Sequence, residues 1–270
     1  MNDVFQRVRD HYKEALDFFP EERIVGIFLQ GSQNYGLQTP NSDVDTKLII
    51  VPSFKEIAFN SKPVSTTHIR ENDEHIDFKD VRLYLAIFLK QNINFLEILC
   101  TPYFIINPLY IDEWTRLIKN RESIAHYNYY QAVKAMRGMA QEKFKAMEHH
   151  YPKRMEIINQ FGYDPKQLHH LLRIEDFLSR YLKGESFESC LHPTDVNYLL
   201  SVKEGIYSLE EARVMAKKSL ENINEISKDI TKNSKWDKND YEVEKLLQEI
   251  QYSIMRAAIL RELEKESKSV

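Results

Sequence analysis

Apolar residues recur at helical spacing from Asp3 to Phe19 (Val4, Phe5, Val8, Tyr12, Ala15, Leu16, Phe19), and Pro20 closes the pattern. An opening amphipathic helix is therefore expected. The period then changes. Arg23 to Leu29 (RIVGIFL) is a short β-branched and aromatic run, the pattern of a buried strand. A stretch of turn formers, QGSQNYGLQTPNSD, separates it from a second strand, Val44 to Val51, which ends at Pro52. Glu74 to Phe78 reads as a third strand, Asp80 to Lys90 as an amphipathic helix, and Tyr103 to Ile106 as a short edge strand before Pro108.

Beyond about Ile111 only the helical period remains. It covers roughly Ser123 to His149, Pro165 to Leu182, Thr194 to Val202, Leu209 to Ile230 and Tyr241 to Lys265. The expected fold class is α+β: a mixed sheet with flanking helices in residues 1–110, then an all-helical domain in residues 111–270. No repeat is visible, and the only polar low-complexity stretch is Lys228 to Asp240.

Composition and charge add four constraints to this outline. The 270 residues hold only 7 glycines, where average usage would give roughly 19. Three of them, Gly26, Gly31 and Gly36, fall in one short stretch, as if unusual backbone geometry were needed there. The two cysteines, Cys100 and Cys190, are far apart and belong to no metal-spaced cluster, which fits a reducing compartment. The N-terminus is polar and no apolar run approaches a bilayer span, so a cytoplasmic protein with no membrane partner is expected. Net charge is −4, but bases outnumber acids between Lys134 and Lys183. That stretch is either a phosphate-facing surface or a solvated helix face.

The segment FLQGSQNYGLQTPNSDVDTKLIIV carries the chemistry. Gly31 permits a tight bend that turns N–H groups toward a phosphate, Ser32 adds a hydroxyl, and a helix beginning near Gln33 would aim its positive end at the same anion. On a strand, residues two apart share a face, so Asp43 and Asp45 project together while Val44 packs inward. Two carboxylates that close need cations, and a pair of Mg²⁺ ions would supply them while clamping a phosphoryl displacement. The plain alternative is a Gly-Ser turn followed by two capping aspartates.

This segment resembles the signature of the DNA polymerase β-type nucleotidyltransferases: an apolar strand, Gly-Ser, a spacer of about ten residues, then Asp-x-Asp. GSQNYG resembles the GS-x-NYG variant of a bacterial and phage branch linked to RNA-repair operons. Two further segments extend the likeness. HIDFKDVRLYLAIFLK with QNINFLEILC matches a third strand bearing an Asp, a helix and an N-x-x-x-x-E-x-L element; GYDPKQLHHLLRIEDFLSRYLKG matches a GYD-x-K-x-x-x-H-x-x-R helix. Gln30 and Thr46 depart from the pattern, which has apolar residues at both places.

The resemblance implies a nucleotidyltransferase-type sheet, with Asp43, Asp45 and Asp77 as catalytic carboxylates holding two Mg²⁺ ions, or Mn²⁺ in their place. Gly31, Ser32, Asn34 and Tyr35, with Lys166, His170 and Arg173 on one helix face, would bind the nucleoside triphosphate. The implied reaction moves a nucleoside monophosphate to a hydroxyl acceptor and releases pyrophosphate. An RNA end, such as that of a tRNA, is the preferred acceptor. A small molecule or protein side chain is the alternative, and a silent nucleotide-binding module the second. Several roles stay open at this level. Tyr35 either packs under the loop or stacks on a base; Asn34 bonds the loop backbone or the nucleotide. Ser42 caps or orients the acidic loop. Lys47 pairs with the carboxylates, meets phosphate, or is an edge lysine. His126 to Tyr130 (HYNYY) stacks bases or seams two helices. His169 and the His149–His150 pair read as surface or packing residues.

Overall fold

The computed structural model describes residues 3–40, 42–150 and 152–268. Five strands, β1 (Ile24–Gln30), β2 (Asp45–Ile50), β3 (Ser65–Ile69), β4 (His75–Asp80) and β5 (Phe104–Ile106), form one sheet in the order β3-β4-β2-β1-β5. β2 lies parallel to β4, and the other neighbours are antiparallel. In the first half, α1 (Asp3–Ala15), α2 (Phe54–Ala58), α3 (Val81–Phe88) and α4 (Ile93–Leu96) accompany the sheet. The rest is helical: α5 (Ile111–Lys119), α6 (Arg121–Ala125), α7 (Tyr129–Ala146), α8 (Met155–Phe161), α9 (Pro165–Tyr181), α10 (Phe187–Leu191), α11 (Val196–Lys203), α12 (Leu209–Ile226), α13 (Lys228–Lys232) and α14 (Tyr241–Lys268).

The alternation of side chains along β1 and β2 divides two cores. Ile24, Ile27 and Leu29, with Leu48, Ile50, Ile76 and Phe78, pack on Val8 and Ala15 of α1. Val25, Phe28 and Ile49 face the other way and join a cluster that continues through Trp114, Leu171 and Ile223 to Leu247. Sheet and later helices therefore share a core across the expected boundary. α9 is its axis, with α7, α10, α11 and α12 packed around it. Among the described residues, no helix is long and apolar enough to cross a membrane.

Where the pattern misleads, the causes are local. β3 was not expected, because STTHI is an exposed edge strand with almost no apolar face. The helix expected from Ser123 breaks at His126–Asn128, where the Asn128 side chain caps α7 by accepting the Gln131 N–H. HYNYY is a packing seam: His126 stacks on Tyr181 at 4.7 Å and Tyr127 is buried against Glu244.

Candidate active site

β1 ends at Gln30, and Gly31 turns the chain at φ +92°. A Cβ there would meet nothing, so the backbone angle alone calls for glycine, as it does at Gly36 (φ +73°). The helix expected near Gln33 is only a single 3₁₀ turn, Ser32–Asn34, too short to present an anion-binding dipole. The Gly31 N–H is also engaged by the protein, donating to Glu97 Oε1 at 3.1 Å.

Asn34 takes the loop-backbone role: its Nδ2 donates to the Leu29 carbonyl at 3.0 Å and its Oδ1 accepts the Thr101 hydroxyl at 2.6 Å. With both polar groups engaged inside the protein, it is not brought to the cleft. Tyr35 packs beneath the loop, buried, with the Arg173 guanidinium 4.3 Å above its ring and its hydroxyl bonded to Glu97. The Ser42 hydroxyl accepts the Thr39 N–H at 2.8 Å and ties off the loop ahead of Asp43; Asn41 lies outside the described residues.

Two adjoining lobes of one cleft open beside this loop. The first, about 260 Å³, has Ser32, Asp43 and Asp45 on the sheet side and Lys166, His170 and Lys203 on the helical side. The second, about 210 Å³, shares Gly31, Tyr35, Asp45 and His170 and adds Asn94, Glu97, Lys143 and Arg173. Asp43 and Asp45 are thus brought together on one wall, although Asp43 lies ahead of β2 and outside the strand whose alternation had been expected to pair them. Asp45 Oδ1 accepts the His75 N–H at 2.9 Å, and the residue lines both lobes. Asp77 is not brought to them. It lies on the same sheet face, but its carboxylate meets Lys47 at 3.5 Å and Lys79 at 3.9 Å, and it lines neither lobe. Among the described residues, no three His, Cys, Asp or Glu side chains converge enough to hold one ion.

Lys47 is no edge lysine: β2 is the middle strand, and the ammonium is buried between Asp77 and the Phe95 ring, 4.2 Å away. Burial pulls its pKa down against the pull of Asp77 and Glu97. Opposite, Asp164 caps α9 by accepting the Lys166 N–H at 3.0 Å, and the helix then projects Lys166, His170 and Arg173 along one face. Lys166 is exposed at the mouth; Arg173 is only 6% exposed, with its Nε unpartnered at the second lobe. His169, expected as a surface or packing residue, forms part of the cleft wall at 2% exposure. Its Nδ1–H donates to the Leu199 carbonyl at 2.8 Å. Burial, with Arg173, Lys203 and Lys166 nearby, lowers its pKa to about 4.

Glu97 and Lys203 are cleft residues that had been given no role. Glu97 belongs to the N-x-x-x-x-E-x-L element, so a signal existed; burial raises its carboxyl to about 7 despite Arg173, Lys47 and the Gly31 N–H. Lys203 had no local signal, whereas Lys143 stands in the basic stretch from Lys134 to Lys183 that was weighed as a phosphate-facing surface. Lys203 Nζ reaches across 166 residues of sequence to the Leu37 carbonyl at 3.0 Å and sits within the field of Asp43.

A Gly-Ser turn and two nearby carboxylates thus stand at the end of a mixed sheet, faced by helical lysines. The chain matches the RNA repair pathway DNA polymerase beta family over residues 8–249 and belongs to it. It is therefore a nucleotidyltransferase whose family is linked to RNA repair. A solved nucleotidyltransferase-like protein from Exiguobacterium sibiricum is 15% identical, with 86% of this chain and 77% of that one covered, at a TM-score of 0.32. No curated protein matches the chain.

Proposed function

We propose that the cleft transfers a nucleoside monophosphate from a nucleoside triphosphate to a hydroxyl at an RNA end. The observation that carries this reading is the polarised cleft: Asp43, Asp45 and Ser32 on the sheet wall, Lys166 and Lys203 across from them. A triphosphate lies naturally against such lysines and a nearby Arg173. The acceptor oxygen bonds the α-phosphorus, the bond to the β-phosphate bridging oxygen breaks, and pyrophosphate leaves with that electron pair. The acceptor proton passes to solvent or to a carboxylate of the site.

Asp43 and Asp45 both line the cleft, and as hard oxygen donors they fit Mg²⁺ (or Mn²⁺). When bound, such ions neutralise phosphate charge and acidify the attacking hydroxyl. Lys47 and Lys79 both meet Asp77 through Oδ2, so a third-ligand role would fall to its Oδ1. The family link to RNA repair and the bases along α7 and α9 support an RNA acceptor.

The test is to incubate the protein with Mg²⁺, each α-labelled triphosphate, and separate pools of cellular RNA, protein and small molecules. Label is expected in RNA and not with Asp43→Ala/Asp45→Ala. No label in any pool, or equal label with the double variant, refutes transfer at this site. Label confined to protein or small molecules refutes the RNA acceptor.

A further inference from the structure

The backbone ladder around β2 runs out just where the cleft carboxylates begin. Pairing with β1 ends at Gln30 opposite Asp45, because Gly31 turns away, and pairing with β4 starts at Thr46 opposite Ile76. Asp43 and Val44 therefore lie beyond the sheet and need another anchor.

Glu74 supplies it. Its Oε1 accepts the Val44 N–H at 3.1 Å from the face of the sheet opposite the cleft, while the next residue, His75, donates its N–H to Asp45 on the cleft face. Two consecutive residues thus grip the acidic stretch from both sides. Glu74 is only 1% exposed, and its charge is met by Arg7 and by Arg70 at 2.8 Å. Its Oε2 also lies 2.9 Å from His11 Nε2. A carboxylate only accepts, so the His11 proton is on Nε2 and Nδ1 is left as an acceptor, filled by the Thr46 hydroxyl at 2.9 Å. Thr46 thereby has a reason to stand where the superfamily pattern has an aliphatic residue: it extends the grip past Asp45.

Burying Glu74 and His11 beneath two partly exposed arginines is a poor route to stability, since apolar residues of similar volume would serve as well or better. What apolar residues cannot do is hold an orphan N–H at a set place. We propose that Glu74, held by Arg7, Arg70 and His11, is a positioning residue that sets where Asp43 and Asp45 project into the cleft. Its catalytic consequence rests on the transferase reading above; its geometry does not.

The test compares Glu74→Ala, Glu74→Gln, Thr46→Val and Glu14→Gln. Glu14 bonds Arg70 and His68 in the same cluster but touches nothing between Asp43 and Thr46, so its loss reports only the structural worth of the charges. Two quantities are read: hydrogen exchange of the peptide containing Val44, and the kcat and KM of nucleotide transfer. Glu74→Ala should exchange at Val44 at least about 10-fold faster and lose about 100-fold in kcat, the scale of a 1 Å misplacement, with KM for the triphosphate within about 3-fold. Glu74→Gln keeps an acceptor oxygen and should recover most of both. Thr46→Val, which alters no charge and serves if Glu74→Ala does not fold, should lose about 10-fold in kcat. Unchanged Val44 exchange and kcat in the folded variants overturns the proposal, as does an equal loss in Glu14→Gln. Wild-type protein that transfers nothing refutes the transferase reading, and Val44 exchange then decides the grip alone.

Discussion

Acidification should unfold this protein through a histidine in the cleft wall. His169 is nearly fully buried, spends its Nδ1–H on the Leu199 carbonyl, and has three cations, Arg173, Lys203 and Lys166, as its charged neighbours. Its pKa falls from 6.5 in the free chain to about 4 in the folded one. The unfolded state therefore takes up a proton near pH 6.5 that the folded state resists. The stabilisation is fully present above 6.5 and is lost as pH falls through about 4. A shift of this size corresponds to about 3 kcal/mol, of which roughly 2–3 kcal/mol is already gone at pH 4.5. His170, pushed well below its usual range by burial and then by His169 and nearby cations, adds in the same direction. Urea unfolding of wild type and His169→Gln at pH 7.5, 6.5, 5.5 and 4.5 measures the effect. The glutamine keeps an N–H for Leu199 but does not titrate, so the gap between the two proteins should shrink by roughly 2–3 kcal/mol across that range. Inorganic tripolyphosphate seated against Lys166 and Lys203 should restore part of the wild-type loss by binding the folded state and offsetting the positive field. Parallel stability curves, with no shrinking gap, would refute the neutral buried ring.

Two further outcomes follow from single contacts. A Cβ at Gly26 would sit 2.8 Å from the Ile105 carbonyl oxygen and 2.7 Å from Ile106 Cδ1, so β5 must shift to admit it. Gly26→Ala should cost about 1–3 kcal/mol in urea unfolding, and an unchanged midpoint refutes the close approach. Lys203→Met removes a cation facing Asp43 and releases the Leu37 carbonyl. KM for the triphosphate should rise about 10-fold, the scale of a lost charge-assisted hydrogen bond, with kcat little changed; a fall in kcat at constant KM would contradict a binding role.

The sparse glycines were informative because a positive φ is a local requirement. Gly31, Gly36, Gly162, Gly184 and Gly205 all occupy the left-handed region, and Gly26 marks a close strand approach. Gly138, inside α7, is explained by nothing in the structure. The Asp43–Asp45 pair was legible as a motif, but not for the reason a period of two gives: only Asp45 is in β2, and Asp43 reaches the same cleft from the loop ahead of it. The exposed strand Ser65–Ile69 was not, because an edge strand with a polar pattern carries no apolar alternation to detect.

By itself the sequence determined most of the elements, the α+β class, the turn at Gly31 and the closeness of Asp43 and Asp45 along the chain. Each follows from torsion angles and periodicities within a few residues. Only the tertiary structure decided which charges meet. Asp77 faces Lys47 because β2 and β4 run parallel in this register, and Glu74 reaches Val44 for the same reason. Glu97 finds the Gly31 N–H, and Lys203 the Leu37 carbonyl, across separations of 66 and 166 residues. A charge in a sequence has no partner until strand order and helix packing bring one within reach. In a buried cleft that partner decides whether a carboxylate faces the cleft, as at Asp43 and Asp45, or a lysine, as at Asp77.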